Sequence, residues 1–170
     1  DWYLSYEELV PVLLPLLLPD AEVFIPGCGL SNVGRELCGA GYTHVSNVDV
    51  SAVVVRMLKE RDAGFSDMGF DVMDATNVPD SVPVASFDCI VDKALLDAVM
   101  SGGDGATVAA KMVARFSELL KPRGVYLLVS HGGPDTRLPL LPSASWAVAH
   151  QVVHNAKREA YNVYVCRKAP

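Results

Sequence analysis

The sequence predicts an α/β protein: a doubly wound, mostly parallel sheet of seven strands whose last two form an antiparallel hairpin. Three observations predict it. Five short apolar runs alternate with segments of helical period. The fifth run is apolar throughout, as a central parallel strand is. Two alternating segments joined by a short polar stretch end the chain. At 170 residues the chain fits one domain spanning 1–170, without linker, low-complexity tract or internal repeat.

Residues 6–18 read as a short apolar helix or helix–turn with prolines near its starts. The first strand, 21–25 (AEVFI), ends at Pro26-Gly27-Cys28-Gly29; Ser31 caps a helix to about Cys38, which Gly39-Ala40-Gly41 stops. The second strand, 44–48, closes at Asp49, and Ser51 caps an amphipathic helix over 52–62. Residues 69–72 make a short third strand, followed by a loop over 74–85. The fourth strand, 87–91 (FDCIV), runs into Asp92-Lys93. Val108, Met112, Phe116 and Leu119 mark a helix over 106–120 that ends at Lys121-Pro122. The fifth strand is 124–129 (GVYLLV), a Gly/Pro loop covers 131–142, and 146–154 pairs with 160–166 across a polar connection at 155–159.

An apolar fraction of 51% against 20% charged residues excludes a disordered chain. The net charge of −6 offers no basic stripe for a phosphate backbone, so nucleic acid is not an expected partner, whereas a basic protein surface is. The longest apolar run, 9–18, is broken by Pro11 and Pro15 and is too short to span a bilayer, so no membrane association is expected. Cys28, Cys38, Cys89 and Cys166 include no CxxC pair, so no metal site is expected and free thiols in a reducing, cytoplasmic setting fit. His150 and His154 have zinc-like i, i+4 spacing, but their segment alternates as a strand and lacks a third ligand. The chain starts at Asp1 without Met or a signal-like segment and reads as trimmed, with room for lost targeting information.

In an open parallel sheet, ligands bind outside the carboxyl ends of the strands where the strand order reverses. Those ends carry Gly27-Cys28-Gly29, Asp49-Val50, Asp74-Ala75, Asp92-Lys93 and Ser130-His131. Gly27 and Gly29 let the backbone pass close to a ligand, with a helix N-terminus beyond; the other reading is a tight turn. Asp49, twenty residues after Gly29, can accept both ribose hydroxyls of an adenosine cofactor, or it merely precedes the Ser51 cap. A dinucleotide site wants a third glycine where Asn32 stands, and no Gly-Lys-Ser/Thr occurs. A cofactor without a pyrophosphate fits, and S-adenosylmethionine is the common one. Asp74 then accepts from the adenine amino group beside Met73 and Ala75, or it is a solvated loop aspartate.

These residues carry a resemblance. Asp1-Trp2-Tyr3 with Tyr6 and Leu9, Gly27-Cys28-Gly29-Leu30-Ser31, Asn47-Val48-Asp49-Val50-Ser51, Met73-Asp74-Ala75, Asp92-Lys93-Ala94-Leu95-Leu96-Asp97-Ala98 and Ser130 to Arg137 resemble the class I, seven-strand S-adenosylmethionine-dependent methyltransferases. Within them the chain is similar to the elongation factor 1-alpha lysine methyltransferases and the citrate synthase lysine methyltransferase. The resemblance implies a Rossmann-like fold, S-adenosylmethionine as cofactor with S-adenosylhomocysteine as product, and a protein lysine as acceptor. It implies cofactor contacts from Trp2, Gly27, Asp49, Val50, Asp74, Ala75 and Lys93. It also implies an aromatic lid helix before Trp2, which this chain begins too late to include. The family usually carries Asn where Leu30 stands and Gly where Ala94 and Arg123 stand.

Methyl transfer is an in-line displacement on an already activated sulfonium, so the protein chiefly aligns the acceptor and excludes water. A lysine acceptor must lose its proton, and Asp92 at the end of the fourth strand is the candidate to orient the amine; a helix cap is its alternative role. A small-molecule acceptor, or a non-catalytic adenosyl-binding scaffold, are the competing functions. The sequence leaves oligomeric state open.

Overall fold

The computed structural model describes residues 2–141 and 146–170. Seven strands form one sheet: β1 (Val23–Pro26), β2 (Val45–Asp49), β3 (Met68–Val72), β4 (Phe87–Lys93), β5 (Leu120–Ser130), β6 (Trp146–His154) and β7 (Ala160–Lys168). Their order is β3-β2-β1-β4-β5-β7-β6. The first five are parallel, and β7 runs antiparallel to both β5 and β6. The order reverses between β1 and β4, which puts a crevice at their carboxyl ends.

Helices α1 (Tyr6–Leu13), α2 (Val33–Gly39) and α3 (Ala52–Arg61) cover one face; α4 (Leu95–Met100) and α5 (Gly105–Leu119) cover the other. Strand alternation divides the core accordingly. Val23 and Ile25 of β1 join Leu9, Leu37 and Val55 in one buried cluster, while Phe24 between them joins Met112, Phe116 and Tyr126 in the second. Along α5 the buried positions Gly105, Ala109, Met112, Val113 and Phe116 make a single stripe of helical period.

Several boundaries differ from the sequence reading, each for a local reason. Helix α1 stops at Leu13 and tightens into a 3-10 turn over Leu14–Leu16, because Pro15 lacks the N–H an α-turn needs. Its start is a Ser5–Glu8 capping box. Helix α2 begins at Val33 with Asn32 as N-cap, and Ser31 only accepts from the Val33 N–H. Ser51 does cap α3, accepting from the Val54 N–H. Strand β4 runs two residues past the expected end, because Asp92 and Lys93 pair with Leu128 and Val129 of β5. Helix α4 was not foreseen, nor was the one-turn helix α6 (Pro134–Arg137) inside the 131–142 loop. Of that loop Pro142, like Asp1 at the start of the chain, lies outside the described residues. No helix among the described residues is long and apolar enough to cross a membrane.

Candidate active site

A cavity of about 910 Å³ opens at the switch point. It is built first from the turn after β1. Gly27 and Gly29 both adopt positive φ, +58° and +51°. Gly27 is doubly constrained, since a Cβ there would lie 2.8 Å from the Leu95 side chain. The turn is fastened by the Cys28 N–H, which donates to the Val48 carbonyl at 2.9 Å.

Asp49 closes β2 beside that turn. One carboxylate oxygen accepts from the Gly29 N–H and the other from the Ser51 N–H, both at 2.9 Å. These bonds fix the direction of the carboxylate, and each oxygen keeps a second lone pair. The Met73 N–H donates to the Asp49 carbonyl at 3.0 Å and so ties the end of β3 to the end of β2. Asp74 follows, exposed, its carboxylate accepting from the N–H and the hydroxyl of Thr76 at 2.9 and 2.7 Å. Val50, Met73 and Ala75 give this wall its apolar lining.

The opposite wall comes from β4 and α4. Lys93 donates to the Trp2 carbonyl at 2.8 Å, and burial alone pulls its ammonium down to about 8. Ala94 turns the chain in the left-handed region, φ 78°, and serves as N-cap of α4. Leu95, Ala98 and Val99 of that helix then face the cavity. Trp2, 75% exposed, borders it from the N-terminal segment. All seven cofactor residues expected from the sequence, Trp2, Gly27, Asp49, Val50, Asp74, Ala75 and Lys93, therefore border one cavity.

Asp92 is not among them. It lies inside β4, not at its end, and alternation turns its side chain to the α5 face, behind the wall that Lys93 and Ala94 form. It is completely buried, accepting from the Tyr126 hydroxyl at 2.8 Å and from the Leu96 N–H at 3.2 Å. Burial raises its carboxyl to about 7, and these hydrogen bonds only partly oppose the rise. In this position its side chain does not line the cavity, and its contacts match the alternative, a cap on the first turn of α4.

The sequence reading missed a polar cluster at the same end of the sheet. Asp97 of α4 accepts from the Tyr3 hydroxyl (2.7 Å), the His131 N–H (2.7 Å), the Ser130 hydroxyl and Arg137 of α6 (Nη2, 2.8 Å). Burial pushes its carboxyl up, but these donors outweigh burial and hold it below the ordinary carboxylate value. Arg137 is itself buried and also donates to Ser130 at 2.8 Å. The available signal was an arginine set among prolines and leucines, a surrounding in which a cation is tolerated only beside an anion.

The two expected histidines sit on β6, where His150 meets Asn162 at 2.8 Å and stacks on Tyr164. The four cysteines are unpaired, and burial pushes the Cys28 thiol on the cavity wall up to about 12.

Comparison with known proteins points the same way. Residues 25–128 match the model of the methyltransferase domain family. The eEF1A lysine and N-terminal methyltransferase of Xenopus laevis is 34% identical over 166 residues, which cover 94% of this chain and 24% of that protein. The chain thus spans about a quarter of that relative's length. The mitochondrial citrate synthase-lysine N-methyltransferase of Pongo abelii is 30% identical, with 97% of this chain and 77% of that protein covered. Among solved structures, the N-methyltransferase NodS of Bradyrhizobium japonicum, crystallised with S-adenosylhomocysteine, superposes with a TM-score of 0.75 at 16% identity, covering 96% of this chain and 87% of NodS. NodS shares the fold, and the family model with the citrate synthase-lysine N-methyltransferase relative makes this chain a member of the S-adenosylmethionine-dependent methyltransferases.

Proposed function

We propose that the chain is a protein-lysine N-methyltransferase domain whose cofactor is held in the switch-point cavity by Trp2, Gly27, Asp49, Val50, Asp74, Ala75 and Lys93. The observation that carries this reading is convergence: residues scattered from position 2 to position 93 border one cavity. The cavity suits the group, because the Gly27 cradle would be filled by any Cβ and a fixed carboxylate stands beside it. S-adenosylmethionine, when bound, supplies a methyl group on a positively charged sulfonium.

In this reading Asp49 accepts from the ribose hydroxyls with the lone pairs left by Gly29 and Ser51, and Asp74 accepts from the adenine amino group. Val50, Met73 and Ala75 flank the adenine ring, and Leu95 and Val99 keep water from the far wall. A lysine acceptor must arrive neutral, and burial against apolar walls disfavours its ammonium form. Asp92 acts as a positioning residue, holding the first turn of α4 so that Leu95 and Val99 face inward. The lysine acceptor is supported by the names of both relatives, an eEF1A lysine and N-terminal methyltransferase and a citrate synthase-lysine N-methyltransferase. Four unpaired cysteines suit a reducing compartment such as the cytoplasm.

The test is methyl transfer from tritiated S-adenosylmethionine to a cell extract, to purified eEF1A and to citrate synthase, read on a gel and followed by hydrolysis to amino acids. Label recovered as methyl-lysine in a protein band is expected. Label confined to small molecules, or none while S-adenosylhomocysteine binds, would overturn the lysine acceptor.

A further inference from the structure

We infer that Tyr3 is a positioning residue: it anchors the N-terminal segment so that Trp2 is held across the mouth of the cofactor cavity. The inference rests on the reading above, in which Trp2 touches the cofactor.

Trp2 makes little use of the core. It is 75% exposed and still borders the cavity, so something else must fix it there. The residue after it is fastened on every side. The Tyr3 ring stacks on Tyr161 of β7 at 4.8 Å and meets His131, just past β5, edge-on at 4.4 Å. Its hydroxyl donates to Asp97 of α4 at 2.7 Å, and its carbonyl accepts from the Asn155 amide in the β6–β7 connection at 3.3 Å. Tyr3 thus engages α4, the end of β5 and the terminal hairpin, while Lys93 at the end of β4 takes the Trp2 carbonyl at 2.8 Å.

The backbone at Tyr3 carries the second observation. Its φ is +68°, a left-handed conformation in which a bulky residue is an outlier. A glycine would relieve that conformation but would forfeit the ring and hydroxyl contacts. Strain of this kind persists only where the surroundings over-determine it, and here the contacts of the side chain do so. The sharp turn separates the two directions required: Tyr3 into the aromatic and carboxylate socket, Trp2 toward the cavity. The socket also reaches Ser130 and Arg137 through Asp97, so the N-terminal segment and the loop after β5 share one anchor.

The experiment uses the full chain and S-adenosylhomocysteine binding by calorimetry for Trp2→Ala, Tyr3→Phe, Tyr3→Ala and the double variant Trp2→Ala/Tyr3→Ala. Tyr3→Phe keeps the ring contacts and loses only the Asp97 bond, so affinity should fall roughly 3- to 10-fold. Tyr3→Ala should weaken binding about as much as Trp2→Ala, and the double variant should bind no worse than Trp2→Ala alone, because Tyr3 acts through Trp2. Acrylamide quenching gives a readout that general destabilisation would not move. Of the two tryptophans Trp2 is exposed and Trp146 is buried, so S-adenosylhomocysteine should shield Trp2 in the parent chain and shield it less in Tyr3→Phe, the variant that decides the matter if Tyr3→Ala does not fold. If Trp2→Ala leaves affinity unchanged, the cofactor contact of Trp2 falls, and the inference with it. If Trp2→Ala weakens binding but Tyr3→Phe and any folded Tyr3→Ala match the parent in affinity and quenching, or the double variant shows additive losses, the contact stands and the anchoring role is overturned.

Discussion

Asp92 and Asp97 lie five residues apart, on either side of the turn at Ala94, and both are withdrawn from water, yet their carboxyls shift in opposite directions. Asp92 is met by neutral donors, the Tyr126 hydroxyl and the N–H groups of Leu96 and Leu95, and burial raises it to about 7. Asp97 faces the Arg137 guanidinium together with the Ser130 and Tyr3 hydroxyls and the His131 N–H, and is lowered despite its burial. The difference teaches that a carboxylate's place near the active end of a sheet does not settle its role. Its partners do: Asp92 braces a helix from behind the cavity wall, and Asp97 ties the N-terminal segment to the end of β5 and to α6.

The largest effect is expected where a charge would be left without its partner. Asp97→Ala strands Arg137, whose side chain is only 10% exposed, and removal of one member of a buried pair costs about 3–5 kcal/mol. Urea unfolding should show a loss of that size, and Asp97→Leu combined with Arg137→Met should recover a large part of it. A loss below about 1 kcal/mol would class the pair with ordinary surface ion pairs and erase the contrast with Asp92.

The two carboxyls should also give opposite pH dependences. Asp97, lowered in the folded state, contributes stability above its unfolded value near 4 and loses it as pH falls through its lower folded value. Asp92, raised to about 7, is protonated in the folded chain while the unfolded chain is ionised, so stability falls as pH rises from near 4 to about 7. At about 1.4 kcal/mol per pH unit, that fall is bounded near about 4 kcal/mol. Asp92→Asn removes the titration, since its oxygen can accept from Leu96 while its amide donates to Tyr126. The slope between pH 4 and 7 should flatten in the variant, as read by urea midpoints, with turnover at pH 8 kept within about 10-fold of the parent. An unchanged slope would mean that Asp92 is not the titrating group. A far larger loss of turnover with intact cofactor affinity would return Asp92 to the acceptor.

How far the sequence disclosed this arrangement depends on how local each signal is. The β1–β3 side was legible because its parts carry their own chemistry: Gly27 and Gly29 for positive φ, Asp49 two residues before the serine that caps α3, and Asp74 after a short strand. The parallel sheet and the hairpin were legible from alternation and from apolar runs. Asp92 was misplaced because an end two residues short put it outside β4, and in a strand the number of residues decides the face. Helix α4 was hidden because it is six residues long and its N-cap is an alanine, not a residue that marks a helix start. The Asp97 cluster joins Tyr3, Ser130 and Arg137, and no periodicity in one chain reveals partners 94 or 40 residues apart.

The smallest effect concerns the turn between the two carboxylates. Ala94 holds φ 78° as N-cap of α4, and Arg123, before the apolar stretch of β5, holds φ 65°. A left-handed residue with a Cβ costs about 1–2 kcal/mol, and glycine returns about 0.4–1 kcal/mol of that through its greater freedom in the unfolded chain. Ala94→Gly and Arg123→Gly should therefore each stabilise the fold by roughly 0.5–1 kcal/mol, which raises the melting temperature by a few degrees in a chain of this size. The two differ in what surrounds them. Ala94 is buried and borders the cavity, so its glycine variant should also keep or improve S-adenosylhomocysteine affinity, whereas exposed Arg123 should leave binding unmoved. If Ala94→Gly instead lowers the melting temperature while Arg123→Gly raises it, the alanine methyl packs usefully against the cavity wall. The separation of Asp92 from Asp97 would then depend on that packing as well as on the left-handed turn.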